Sequence, residues 1–388
     1  MSILTIILFL LLLGVLIFVH ELGHFLTAIR NGIKAEEFGF GFPPRMLGIA
    51  KDKSDGRWRL VFGSRDIESD GTVYSINWIP LGGFVRMKGE DESTLMEPDS
   101  FAAKSAWVRL KVLAAGVIMN VLLAWVLISS LYVMGVPQAV TEETRADAEE
   151  VFVQVLGIAE GSPADGMGLR PGDRIETING AAVPHSNGLV ERIGEYAGTR
   201  VTLGVLRGEE ALSLSGVPRS EFPEGEGALG ISFAEVGVFS YPWYQAPFLG
   251  AQATWYATGT IFSALGAILS NLFLGSGSGG ADLTGPVGIV YLTKQMSELG
   301  MAYLLQFAAI LSINLAIFNI LPFPGLDGGR ILFVLIERMK GSPVREVIEQ
   351  RFHQIGFLLL LILMLAVTLR DVVKFEVLEK IGNLFSVF

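Results

Sequence analysis

From Ile3 to Val19 the chain carries no charged side chain and is almost wholly aliphatic, and this run passes without a break into His20-Glu21-Leu22-Gly23-His24. With the residues that follow it, a helix of this length can cross a hydrocarbon layer of about 30 Å, so the run predicts a membrane span. A signal peptide would show a basic start and a small-residue cleavage site; here Met1 and Ser2 lead straight into the run, and retention as a span is expected. Trp107 to Tyr132 forms a second apolar run, entered past Arg109 and Lys111 as anchors at the cytoplasmic face. Met301 to Leu321 forms a third, and Phe357 to Leu369 begins a shorter fourth that can extend into its flanks. A hydrophobic share of 51% and a mean hydropathy of +0.51 suit a membrane protein rather than a soluble one.

The segments between the spans differ in kind. Glu37 to Lys88 holds glycines, prolines and the alternating stretch VYSINWIPLGGFVRMK, whose period of two predicts strands with a Gly-Gly turn or bulge, a small sheet at the membrane edge. Val151 to Pro218 is polar and reads as a soluble insert. The fold expected is therefore a polytopic α-helical membrane protein with about four transmembrane helices, a membrane-associated β-sheet and an inserted β-rich domain. Its parts run 1–135 (first membrane part), 150–220 (insert), 240–300 (interfacial helical region) and 301–388 (second membrane part). The net charge of -10 and the lack of a concentrated basic face exclude a nucleic-acid partner. The absence of cysteine means that any metal must be held by nitrogen and oxygen.

HELGH at 20–24 offers such ligands. Residues four apart lie about 40° around a helix and one turn along it, so His20 and His24 can reach one ion. Ionisable groups near the end of an apolar span cost several kcal/mol unless paired or hydrated, so three within five residues favour a functional site. In the zincin pattern the glutamate between such histidines is no ligand. It takes the proton from a zinc-bound water whose pKa falls from about 15.7 to about 7, which makes Glu21 the candidate base for hydrolysis. A catalytic zinc needs three protein ligands and one open position. His185 lies in the insert and His353 in a charged segment, and neither has an evident reason to approach span one. Asp327, in the turn-rich NILPFPGLDGGR that follows the third span, is the better third ligand. Its alternative is an ordinary aspartate in a loop turn.

Taken together, HELGH, GFGF at 39–42, IPLGGFVRMKGE, LTGPVGI at 283–289 and NILPFPGLDGGR at 319–330 resemble, in order, the landmarks of the site-2 protease family of intramembrane metalloproteases. The likeness extends to its bacterial branch of sigma-factor regulators. It implies a zinc endopeptidase of the bacterial cytoplasmic membrane, with His20, His24 and Asp327 on Zn2+, Glu21 as base, and Asn314 and Asn319 as substrate contacts. The implied partners are single-span membrane proteins, such as pre-trimmed anti-sigma factors or remnant signal peptides, within a lipid bilayer. For Asn314 and Asn319, interhelical bonding is the alternative. The insert's GSPADGMGLRPGDRIETINGAAV resembles the PDZ domains attached to bacterial proteases, which implies either capture of peptide C-termini by strand addition or a lid that excludes intact proteins. The insert has room for one such domain.

An outer N-terminus puts HELGH near the cytoplasmic side, the basic loop inside and the insert outside, as the distribution of lysine and arginine favours. Were Ala246 to Gly275 a further span, Asp327 would arrive at the wrong face. That stretch, with Trp243, Tyr244, Trp255 and Tyr256 at its start, is expected to lie in the interface. Two alternatives compete: a membrane PDZ adaptor with a structural metal, which leaves Glu21 without a purpose, and a metal transporter, which needs ionisable residues spread along several spans.

Overall fold

The computed structural model describes residues 3–63, 69, 71–89, 97–142, 144–183, 186–223, 226–274, 285–342 and 344–374. His185, Gly275, and Leu283 and Thr284 of the LTGPVGI stretch lie outside them. The chain divides into two units, Met1–Val126 with Gln252–Thr293 and Ala308–Phe388, and Leu127–Ala251 with Lys294–Phe307.

In the first unit, the opening apolar run forms α1 (Ile3–Arg30), and the second forms α2 (Ala106–Met134). Between them lie β1 (Ala35–Lys51), β2 (Trp58–Phe62) and β3 (Val73–Met87), in the sheet order β2–β1–β3. β1 and β3 are both sharply bent. The first arm of β1 pairs with Gly83–Met87 on one side and Val73–Ile76 on the other, while its second arm pairs with Tyr74–Ile76 and with β2. The bend in β3 falls at Gly82, whose φ of +78° a side chain would resist. Glu37 and Arg45, one on each arm of β1, form a two-pronged ion pair with contacts of 2.8 and 2.7 Å. Alternation leaves Trp58, Leu60, Phe62, Tyr74, Ile76 and Trp78 exposed, an apolar, aromatic face on an open sheet.

The second unit carries a seven-stranded sheet built from β4 (Val136–Ala139), β5 (Glu150–Ile158), β6 (Arg174–Ile178), β7 (Ala181–Ala182), β8 (Val201–Arg207), β9 (Glu210–Gly216) and β10 (Ile231–Phe239). Its order is β4–β10–β5–β6–β8–β9, with β7 beside β6. The sheet thus draws β4 and β10 from outside the 150–220 interval expected for the insert, because a terminal strand pairs with residues remote in sequence. A short α3 (Pro163–Gly166) and α4 (Ser186–Glu195) complete it, and Leu189 and Ile193 of α4 join Val153, Ile175, Ile178, Leu203 and Val205 in its core. Asp173 of the GLRPGDRI element is fully buried and clamped by Arg207 through contacts of 2.7 Å.

The later helices are α5 (Ala246–Leu274), α6 (Pro286–Leu299), α7 (Met301–Ile320), α8 (Asp327–Lys340) and α9 (Glu346–Lys374). Among the described residues, four helical stretches are long and apolar enough to cross a membrane: Ile3–Arg30, Ala106–Met134, Met301–Ile320 and Val347–Lys374. Around the start of the uncharged α5, Trp243, Tyr244, Trp255 and Tyr256 are all exposed. The last span is longer than the Phe357–Leu369 run suggested, since the helix starts at Glu346 within polar residues. In the first unit Asp371 of α9, 2% exposed, accepts from the backbone N–H groups of Gly285 and Gly288 at 2.9 and 2.8 Å, so α9 caps α6.

Candidate metal centre

α1 supplies His20 and His24, one turn apart and both buried. Opposite them the chain leaves α7, turns through Leu321–Leu326 and starts α8 at Asp327. Asp327 Oδ2 lies 2.9 Å from His20 Nε2 and 3.2 Å from His24 Nε2, and the two Nε2 atoms are 3.1 Å apart. One ligand atom from each of the three residues falls within 4.8 Å of the others, a spacing a single ion can bridge. Burial works to raise the Asp327 carboxyl, but the two imidazoles bonded to it outweigh that and hold it far below the usual carboxylate range.

α2 shapes the other side with three residues spaced four apart, which therefore share one helix face. Val112 O accepts from His24 Nδ1 at 2.8 Å, leaving the lone pair of His24 on Nε2, toward His20 and Asp327. At Gly116, a Cβ would collide with His24 Nε2 and stand 2.7 Å from His20 Nε2. Asn120, fully buried, puts Nδ2 at 3.3 Å from His20 Nδ1. The donor set is two imidazoles and one carboxylate, which suits zinc in a site with an open fourth position. Gly116 keeps clear the space such an ion needs. The residues fit the group.

A cavity of about 600 Å³ adjoins the cluster, lined among others by Glu21, His24 and Asp327, by Gly83, Phe84, Val85 and Met87 of β3, and by Arg330 and His353. Gly83–Arg86 of β3 pairs with β1 along one edge, and its other edge has no strand partner among the described residues.

Of the residues singled out in sequence, His20, Glu21, His24 and Asp327 come together here. Asn319 is also present, its Nδ2 3.4 Å from His20 Nε2. Asn314 is half-buried on α7 and is not among the lining residues. His353 corrects the expectation that it had no reason to approach. α9 begins early enough to carry it against the turn before Asp327, where its Nδ1 accepts from Gly325 N at 2.9 Å, and it lines the cavity. Val112, Gly116 and Asn120 were not singled out. Their four-residue spacing was the available signal, hidden inside an apolar helix.

A family model described as Peptidase family M50 matches residues 8–63 and 61–363. The chain is 30% identical to the Regulator of sigma-W protease RasP of Bacillus subtilis (strain 168), with 95% of this chain and 98% of that one covered. It is 29% identical to the Zinc metalloprotease RasP of Geobacillus kaustophilus (strain HTA426), at 96% and 98% coverage. A solved PDZ domain of the SdrC-like protein from Listeria innocua is 26% identical and covers 21% of this chain and 92% of that one, with a TM-score of 0.19, too low to speak for the fold.

Proposed function

The chain belongs to peptidase family M50, the site-2 protease family, and is a zinc metalloprotease of the membrane; from that premise we propose that it hydrolyses peptide bonds within the transmembrane segments of single-span proteins. The observation that carries the reading is the convergence of His20, His24 and Asp327 beside Glu21 in one cavity reached from membrane-crossing helices. A peptidase family also answers the adaptor alternative, which had no use for Glu21.

His20, His24 and Asp327 hold the ion, and Glu21 is the general base. When bound, zinc supplies a Lewis acid that polarises the scissile carbonyl and makes water acidic enough to attack near neutral pH. Glu21 takes a proton from the attacking water and returns it to the leaving nitrogen, as a carboxylate in reach of both can. A helical substrate hides its peptide bonds in its own hydrogen-bond ladder, so a stretch must open before attack. The outer edge of Gly83–Arg86, which has no strand partner among the described residues, offers strand pairing to that opened stretch, and Asn319 offers amide hydrogen bonds beside the metal ligands. Asn314, half-buried on α7, is the second substrate contact.

We place the exposed aromatic face of the β1–β3 sheet in the membrane interface, the insert on the extracytoplasmic side and the metal centre near the cytoplasmic side. The insert supports a screen on incoming substrates, by capture of peptide termini at a strand edge or by exclusion of folded bulk.

The test is cleavage of a truncated single-span substrate by purified protein in detergent, comparing wild type with Glu21→Gln and measuring bound zinc in both. The expected outcome is cleavage in wild type, a loss of at least about 100-fold in the variant, and equal zinc. Equal cleavage by the two would overturn the reading of Glu21. Lost zinc in the variant would make it a ligand.

A further inference from the structure

We propose that Asn120 is a positioning residue for the metal centre: its amide oxygen accepts the Nδ1 proton of His20 and so leaves Nε2 the lone pair that ligation requires. The inference rests on reading His20, His24 and Asp327 as the zinc ligands. A neutral imidazole has one proton, and whichever nitrogen keeps it cannot bind a metal. For His24 the choice is settled by Val112 O, an acceptor that can only take a proton, at 2.8 Å from Nδ1. Among the described residues no helix carbonyl does this for His20. The carbonyl of Asn120 itself, one helix turn beyond Gly116, already accepts from Ser312 Oγ at 2.8 Å. The group that faces His20 Nδ1 is the Asn120 side chain, 3.3 Å away and fully buried.

As oriented, Nδ2 points at Nδ1. An N–H donated there places the imidazole proton on Nε2, the atom 2.9 Å from Asp327 Oδ2, and closes the ligand position. Yet Asn120 Oδ1 is buried with no hydrogen-bond partner, so that end of the amide is not held in place. Half a turn about the last torsion exchanges the two amide atoms and presents Oδ1 to Nδ1–H. A buried amide here serves either tautomer of His20, and the acceptor form is the one that fits metal ligation. Such a partner also fixes the plane of the ring.

The experiment compares zinc affinity by chelator competition in purified wild type, Asn120→Ala, Asn120→Asp and His20→Ala, with elution as a folded species as the control for each. Aspartate keeps an acceptor and has no donor. Asn120→Ala is expected to bind zinc roughly 10–100-fold more weakly, while Asn120→Asp binds within a few-fold of wild type or more tightly. Wild-type affinity in Asn120→Ala overturns the proposal. So does an equal loss in Asn120→Asp, which would mean that the amide donates or merely packs. If Asn120→Ala does not fold, Asn120→Asp decides alone by the same criterion. Undiminished zinc in His20→Ala overturns the ligand reading and this inference with it.

Discussion

An ion held on one helix can sit against a neighbouring helix only where no side chain fills its place, and at Gly116 of α2 a single hydrogen keeps that space. A methyl group there would overlap His24 Nε2 and crowd His20. In an exposed helix Gly→Ala gains up to about 1 kcal/mol; here Gly116→Ala is expected to keep helix content and cost at least about 10-fold in zinc affinity, as a disturbed ligand shell does. Elemental analysis of the purified variant beside circular dichroism checks it. His20, Glu21, His24 and Asp327 were legible in the sequence because ionisable groups around an apolar span need a reason. Gly116 and Asn120 were not, because a glycine and an asparagine within an apolar helix read equally well as packing between spans. His353 was misjudged for a local reason, since the polar start of α9 hides the helix that brings it to the Gly325 turn.

At the scale of elements, the helices were visible as runs and the small sheet as an alternation of period two, while the way its strands double back on each other was not. Period two in VYSINWIPLGGFVRMK announces strands, but β1 contains GFGFPP, which reads as a loop, and its pairing on both sides with β3 is a non-local fact. The Glu37–Arg45 pair ties together the two arms of β1, which also share Tyr74–Ile76 of β3 as a pairing partner, and Glu37 is 4% exposed. Burial pushes the Glu37 carboxyl up, but the two hydrogen bonds from Arg45 and the charges of Arg45 and Arg86 bring it below its ordinary value of 4.5. A carboxyl lowered by folding adds stability above its unfolded value, and that contribution disappears as pH falls through the folded one. Amide-exchange protection across β1, corrected for intrinsic rates, is therefore expected to hold from neutrality to about the ordinary glutamate value and to fall below it. In Glu37→Gln, protection should already be lower at neutral pH by up to about 3 kcal/mol, with no such acid step. Wild-type protection in that variant would show that the pair is not what joins the arms.

For the whole molecule the open matter is sidedness, and the lack of any cysteine makes it simple to address, because each introduced thiol is the only one. Glu209→Cys, in the turn between β8 and β9, is expected to react with a membrane-impermeant maleimide from outside intact cells stripped of their outer layers. Lys53→Cys, beyond β1, should react only after permeabilisation. Both positions are exposed, so the reverse pattern would invert the proposed topology. The division of the chain into apolar and polar stretches was readable because the bilayer imposes a length on what crosses it; the reach of the insert's sheet to Val136 and Phe239 was not, since strand partners leave no local mark. One consequence concerns how such an enzyme is made. His20 and Asp327 are 307 positions apart, so at about 5–20 residues per second a ribosome needs roughly 15–60 s after delivering the first ligand to deliver the last. With Asp327 as the proposed third ligand, the growing chain lacks a complete cutting centre throughout that interval, and a product of interrupted translation that ends before α8 is expected to cleave nothing.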